Sequence, residues 1–135
     1  MLLRQAGRVR YLGFELLAQA GLFHAVVTRH EGISPEPWSS LNLGGSGGDE
    51  RSRVVENRRR VFQAFNIDNK NVHDVWQVHG DAVVCADGPR EAGEPHQKAD
   101  AILTNVPNLF AKGLGEEGVD VEAHGPKPVP NPCGD

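Results

Sequence analysis

The apolar residues of this chain fall into short runs separated by glycine, proline and charge, and the spacing inside each run sets the element it predicts. Residues 22–28 (LFHAVVT) are rich in apolar and β-branched side chains and read as a strand. Upstream, the first 21 residues suggest a strand at Val9 to Leu12, a turn at Gly13 and a second short strand. After Thr28 the chain enters a loop marked by Gly32, Ser34, Pro35 and Pro37, and Leu41-Asn42-Leu43 leads into GGSGG at 44–48, read as a hinge or linker. A helix is predicted from Asp49, as N-cap with Glu50 in the first turn, to about Phe65, with Asn66 as terminator. At about 100° per residue, Val54, Val55, Val61, Phe62 and Phe65 share one arc of that helix, and Arg58 projects into the middle of it. Glu56, Arg59, Arg60 and Gln63 point elsewhere.

Further along, residues 72–78 read as a strand, Gly80-Asp81 as a turn, 82–86 as the returning strand of a hairpin, and 101–104 as another short strand. Strand, loop, helix, hairpin and strand in that order suggest an α+β fold with mixed β-sheets layered with helices. From Ala111 the character changes. Glycine stands at 113, 115, 118, 125 and 134 and proline at 126, 128, 130 and 132, with no aromatic residue and no sustained periodicity. Such a segment buries too little apolar surface to offset its chain entropy. The domain is therefore expected to span 1–110 and to be followed by an irregular or disordered tail at 111–135.

Composition narrows the function classes. A length of 135 residues suits one ordinary domain. A net charge of -4 argues against a general nucleic-acid binder, although Arg51, Arg53, Arg58, Arg59 and Arg60 form a local basic cluster. No apolar run approaches the roughly 18 residues of a membrane span, and the N-terminus lacks a cleavage signal. Cys85 and Cys133 are too few for a disulfide framework. A cytoplasmic protein with no membrane and no nucleic-acid partner is the expectation; the oligomeric state is open.

Several residues could carry chemistry. Gln77 and His79 lie two apart on a predicted strand and so share a face, and Gly80 turns the backbone at once. His79 is thus a rigid, reachable metal or substrate contact, or a surface imidazole at a hairpin. Arg58, centred in an apolar face, needs an anion or several acceptors. That partner is a neighbouring carboxylate or carbonyl, or a substrate phosphate. Arg29 at a strand end suits anion binding or simple solvation, and Ser40 and Asn42 either share a face or cap turns. His24, His30, His73 and His96 show no metal-site spacing, and Cys85 reads as a small core residue. His124 and Cys133 would chelate a metal only in an ordered tail.

Four segments in order (LFHAVVTRHEGISPEPWSSLNLGGSGGD, VVENRRRVFQAF, QVHG and KADAILTNVPNLF) resemble the laccase-domain proteins. These are also known as multicopper polyphenol oxidases and as purine nucleoside phosphorylases of the same fold. The resemblance covers residues 23–110 and implies the N-terminal half of a laccase-domain-like α+β domain. It further implies one metal, zinc with copper as the alternative, held by the histidine of QVHG, a cysteine and a second histidine. Matched motif by motif, His79 is the metal ligand and catalytic residue, and Arg29, Ser40, Asn42, Arg58 and Gln77 line or support the nucleoside and phosphate site. The implied activity is phosphorolysis of purine nucleosides with adenosine deamination, or copper-dependent phenol oxidation. The Ala-Asp-Cys and His-Ala-Gly-Trp motifs that supply the other two ligands in the family do not follow NLF here, and His124 precedes Cys133, the reverse of the family order. A truncated gene or a shifted frame near residue 111 would give this pattern. The expectation is an impaired enzyme, with a non-catalytic remnant, or an anion-binding module using Arg29 and Arg58, as alternatives.

Overall fold

A computed structural model describes residues 1–114 and the strand at 121–124. Gly7, at φ 55°, turns the chain between Leu2–Ala6 (β1) and Val9–Gly13 (β2), a two-residue hairpin whose twist favours positive φ. Phe23–Val27 (β3) pairs antiparallel with β2, and Val121–His124 (β8) pairs antiparallel with β3, giving the order β1-β2-β3-β8. The second strand expected after Gly13 is instead a short helix, Glu15–Gln19 (α1). Its residues, ELLAQ, are all good helix formers, and nothing there pairs them into a sheet.

The main helix is Arg51–Ala64 (α2), capped by Glu50 and Phe65, and Asn66 at φ 56° ends it where the sequence placed the terminator. Val54 and Val61 are buried, Phe62 and Phe65 half-buried, and Val55 leaves the expected apolar arc at 55% exposure. The apolar face of α2 lies on β2 and on the Leu41–Leu43 segment: Val9, Leu41, Leu43 and Val61 form the buried core, with Val27, Ala64 and Phe65 packed around it. Phe65 meets Tyr11 edge-on at 5.0 Å and Phe23 at 5.4 Å, and Phe23 meets Phe110 at 5.9 Å. These rings join α2 to β2, β3 and the strand that begins at Phe110.

The expected hairpin at 72–86 does not form. Val72–Trp76 (β4) pairs in parallel with Phe110–Leu114 (β7), while Val83–Cys85 (β5) pairs in parallel with Ala101–Leu103 (β6). The reason lies in residues 97–101, which occupy the edge a returning strand would need. Trp76 N–H donates to Gln97 O at 2.8 Å and Ala99 N–H to Trp76 O at 3.0 Å. Cys85, expected in the core, is exposed, since it alternates with the half-buried Val84 along β5. The boundary expected after residue 110 falls inside β7, and residues 121–124 form β8. The remainder of the 111–135 segment, for which disorder was expected, lies outside the described residues, as do the side chains of His124 and Cys133. The α+β class with mixed sheets is as read from the sequence, and among the described residues no helix is long and apolar enough to cross a membrane.

Truncating Phe65 removes two ring contacts at the junction of α2 with β2 and β3. Phe65→Ala is expected to lower stability by roughly 3 kcal/mol in urea titration; a loss below about 1 kcal/mol would show that the aromatic junction does not hold the layers together.

Candidate functional site

Asn57 is fully buried, and its side chain organises the whole loop that follows β3. It sits three residues after Val54 and four before Val61, so it belongs to the buried stripe of α2 despite its polarity. Its Nδ2 donates to Ser34 Oγ at 2.9 Å, Asn42 O at 2.9 Å and Ser40 O at 3.2 Å, and its Oδ1 accepts Ile33 N–H at 2.9 Å. Ser34 Oγ in turn donates to Asp49 Oδ2 at 2.5 Å, which fixes the direction of the whole chain of bonds. Asp49 was expected to cap α2. It stands one residue before the cap, and its carboxylate also takes Asn42 Nδ2 at 3.1 Å and Glu50 N–H at 2.8 Å, which turns it toward the loop. The Ser34 hydroxyl, outweighing burial and helped by Asn42, Glu50 and Arg53, holds its carboxyl below the ordinary aspartate range.

Arg29, Ser40 and Asn42 converge in this loop. Arg29 Nε donates to Ser39 O at 2.5 Å, while Arg29 O accepts from Ser40 N and Leu41 N at 2.9 and 2.7 Å. Ser40 Oγ accepts Gly32 N–H at 3.0 Å and donates to Arg29 O at 3.2 Å; Asn42 Oδ1 accepts Gly44 N–H at 3.0 Å. The Gly32 backbone runs so close to this segment that a Cβ there would sit 2.0 Å from Ser40 O. Ser40 and Asn42 therefore do the turn-holding work that was one of their two readings. The GGSGG stretch is not a bare linker, since Trp38 Nε1 donates to Gly47 O at 2.8 Å.

Arg58 follows Asn57 and extends the cluster in a second direction. Its Nε donates to Leu43 O at 2.8 Å, and its side chain borders a cleft of about 520 Å³. Arg58, Lys70, Arg90 and Lys112 contribute positive charge to that cleft and Asp74 and Glu91 negative charge. Asp74 is bonded to Arg90 Nε and to His96 Nε2, the latter at 3.1 Å; burial raises its carboxyl, but these two partners outweigh it and hold it low. Lys112 is 3% exposed, with Nζ 5.5 Å from the centre of the Phe62 ring.

Gln77 and His79 stand apart from these residues. β4 ends at Trp76 and His79 adopts φ 58°, so the two do not share a strand face as expected. The left-handed turn intervenes because Asp100 captures the loop: Oδ1 accepts Val78 N–H at 3.1 Å and His79 N–H at 2.6 Å, and Oδ2 accepts Gly80 N–H at 2.8 Å. Burial pushes the Asp100 carboxyl up, but the three amides and the nearby imidazole hold it below its ordinary range. The Asn57 and Asp100 networks share no residue. His79 is exposed and reachable. The imidazole of His79 suits zinc or copper, yet zinc needs about three protein ligands. Among the described residues no group of three or more His, Cys, Asp or Glu is placed to hold a metal ion. Both Asp100 oxygens are occupied, and the buried His24 uses Nε2 to accept Phe14 N–H at 2.6 Å and Nδ1 to donate to Leu22 O at 3.0 Å. The described residues alone do not fit the metal.

Sequence reasoning missed Asn57 and Asp100. An amide in register with Val54 and Val61 was a legible signal for the first; the second lay unremarked in the KADA motif beside Ala99, which is 0% exposed.

Residues 23–114 match the family described as multi-copper polyphenol oxidoreductase laccase. The chain is 43% identical over 84 residues to a protein of Escherichia coli (strain K12) named purine nucleoside phosphorylase YfiH, covering 59% of this chain and 31% of that one. It is 32% identical over 101 residues to the purine nucleoside phosphorylase SCO2081 of Streptomyces coelicolor, covering 75% and 41%. The crystal structure of a Bacillus licheniformis hypothetical protein YfiH superposes with a TM-score of 0.69 at 25% identity, over 91% of this chain and 51% of that one. The chain thus spans about a third of the E. coli relative and half of the solved structure.

The lowered carboxyls set the acid response. Glu56, bonded to Arg59 and Arg60, is lowered to about 2, and Asp49, Asp74 and Asp100 are lowered as well. Their stabilisation is complete above the unfolded values near 4 and is lost as pH falls toward the folded ones. The urea midpoint is expected to fall steadily between about pH 5 and pH 2, and less steeply in Asp49→Asn. An acid limb identical in both proteins would remove Asp49 from this account.

Proposed function

The chain belongs to the multi-copper polyphenol oxidoreductase laccase family, and on that premise we propose that it carries the nucleoside- and phosphate-holding part of a zinc-dependent purine nucleoside phosphorylase with adenosine deaminase activity. The observation that carries the reading is the cleft lined by Arg58, Lys70, Arg90 and Lys112, where Arg58 also bonds Leu43 O beside the loop holding Arg29, Ser40 and Asn42. Phosphorolysis sets an anion against a glycosidic carbon while a purine leaves, so catalysis depends on holding phosphate and orienting the nucleoside. In this reading Arg58 and Arg29 hold the phosphate. Ser40, Asn42 and Gln77 present polar atoms to the nucleoside, and His79 supplies one metal ligand. Among the described residues no second and third ligand stands with His79. The cytoplasm, where purine nucleosides and phosphate meet, is the proposed compartment.

A second reading, favoured by the lack of a three-ligand group among the described residues, is a family member that binds nucleoside but does not turn it over. Copper-dependent phenol oxidation, the activity in the family description, is a third, since imidazole serves copper as readily as zinc.

Purified protein supplied with inosine, phosphate and zinc separates these. The proposal expects phosphate-dependent release of hypoxanthine and ribose 1-phosphate, slower by about tenfold or more in Arg58→Ala and His79→Ala, and ammonia release from adenosine. Saturable inosine binding without turnover would favour the non-catalytic reading. Oxidation of a phenol with copper and no phosphorolysis with zinc would favour the oxidase.

A further inference from the structure

The QVHG segment is held by an interaction that the role of its histidine does not by itself explain. Three successive amides, of Val78, His79 and Gly80, converge on one carboxylate at 3.1, 2.6 and 2.8 Å. Consecutive N–H groups point the same way only where the backbone departs from the extended strand, and His79 departs at φ 58°. Such a conformation at a residue other than glycine is strained and persists where its surroundings over-determine it. Asp100 supplies that determination twice. Its side chain holds 78–80, while its own N–H donates to Ala82 O at 2.9 Å and ties down the far end of the same loop. The carboxylate is itself anchored, because the preceding Ala99 is fully buried and bonded to Trp76 O at 3.0 Å. Gly80 fits the cradle closely: a Cβ there would lie 3.4 Å from Asp100 Oδ2.

We infer that Asp100 is the positioning residue of this loop: by accepting three consecutive amides it holds His79 in the left-handed conformation and so sets where the imidazole points. The inference rests on the reading of His79 as a site residue. Asp100 does not itself contact substrate in this account. It keeps the loop from relaxing into an extended strand end, which would swing the ring by changing φ at its own Cα. An asparagine could not replace it, since one of its two polar atoms is a donor and would face an N–H.

The test uses the full chain, isotopically labelled, with inosine as the probe. In the unsubstituted protein, hydrogen-bond scalar couplings are expected from the amide nitrogens of 78, 79 and 80 to the Asp100 carboxyl carbon. In Asp100→Asn, amide exchange at 78–80 should accelerate by about tenfold or more while that of Val75 and Val61 holds, and inosine affinity should fall by about fivefold or more. Asp100→Glu, which keeps the carboxylate, should recover part of both effects, a rescue not expected of a residue serving the fold alone. If His79→Ala weakens inosine binding and Asp100→Asn does not, the positioning role alone is overturned. If His79→Ala has no effect on binding, the functional reading fails and the positioning role with it. Should Asp100→Asn not fold, the couplings decide: their presence together with the Asp100→Glu rescue supports the role, and their absence overturns it.

Discussion

The Asn57 carboxamide is the contact on which the candidate site depends. It is a polar group placed in the apolar stripe of α2 with no exposure to water, so each of its atoms must find a partner inside the protein. It finds them all in one place: Ile33 N–H, Ser34 Oγ, Ser40 O and Asn42 O. A helix that packs through Val54 and Val61 therefore cannot settle onto the core without ordering the loop above it. An unmatched buried group would cost about 1–3 kcal/mol, so helix docking and loop ordering stand or fall together. Arg29, Ser40 and Asn42 owe their arrangement to this coupling, and Arg58, the next residue of the helix, is aimed by it at Leu43 O and the cleft.

A second anchor repeats the logic at the far end of β4. Asp100 meets backbone donors rather than acceptors, and its charge is met by three amides. Both anchors use a buried or half-buried side chain from one segment to fix the main chain of another. Loops can then carry functional groups while the rigidity comes from the packed elements beneath. The two networks remain separate, and among the described residues no group of three or more His, Cys, Asp or Glu is placed to hold a metal ion.

Much of the fold was legible because its signals were local. The β-branched run at 23–27, the apolar stripe of α2 and the asparagine that ends it needed no knowledge of distant chain. The errors share one cause. The hairpin at 72–86 was locally sensible, with apolar runs flanking Gly80-Asp81, but the edge it required is taken by residues 97–101. Parallel pairing of β4 with β7 and β5 with β6 is set by contacts between residues far apart in sequence, and local pattern carries no trace of them. Asp49 failed as a helix cap for a similar reason, since Ser34 and Asn42 compete for its oxygens from across the loop. Among the candidate residues, Arg58 and His79 stand out in the sequence by their oddness, a charge in an apolar arc and a histidine beside glycine. Asn57 and Asp100 look ordinary in sequence, because their importance lies in what they touch.

The central claim is that each of the two anchored loops holds residues that bind nucleoside or phosphate. Backbone and side-chain NMR shifts, recorded while inosine and then phosphate are added to the full chain, test it most directly. The account predicts saturable shifts centred on Arg29, Ser40, Asn42, Arg58, Gln77 and His79, with phosphate acting first at Arg58. Shifts confined to other residues, or none at all up to millimolar ligand, would contradict it.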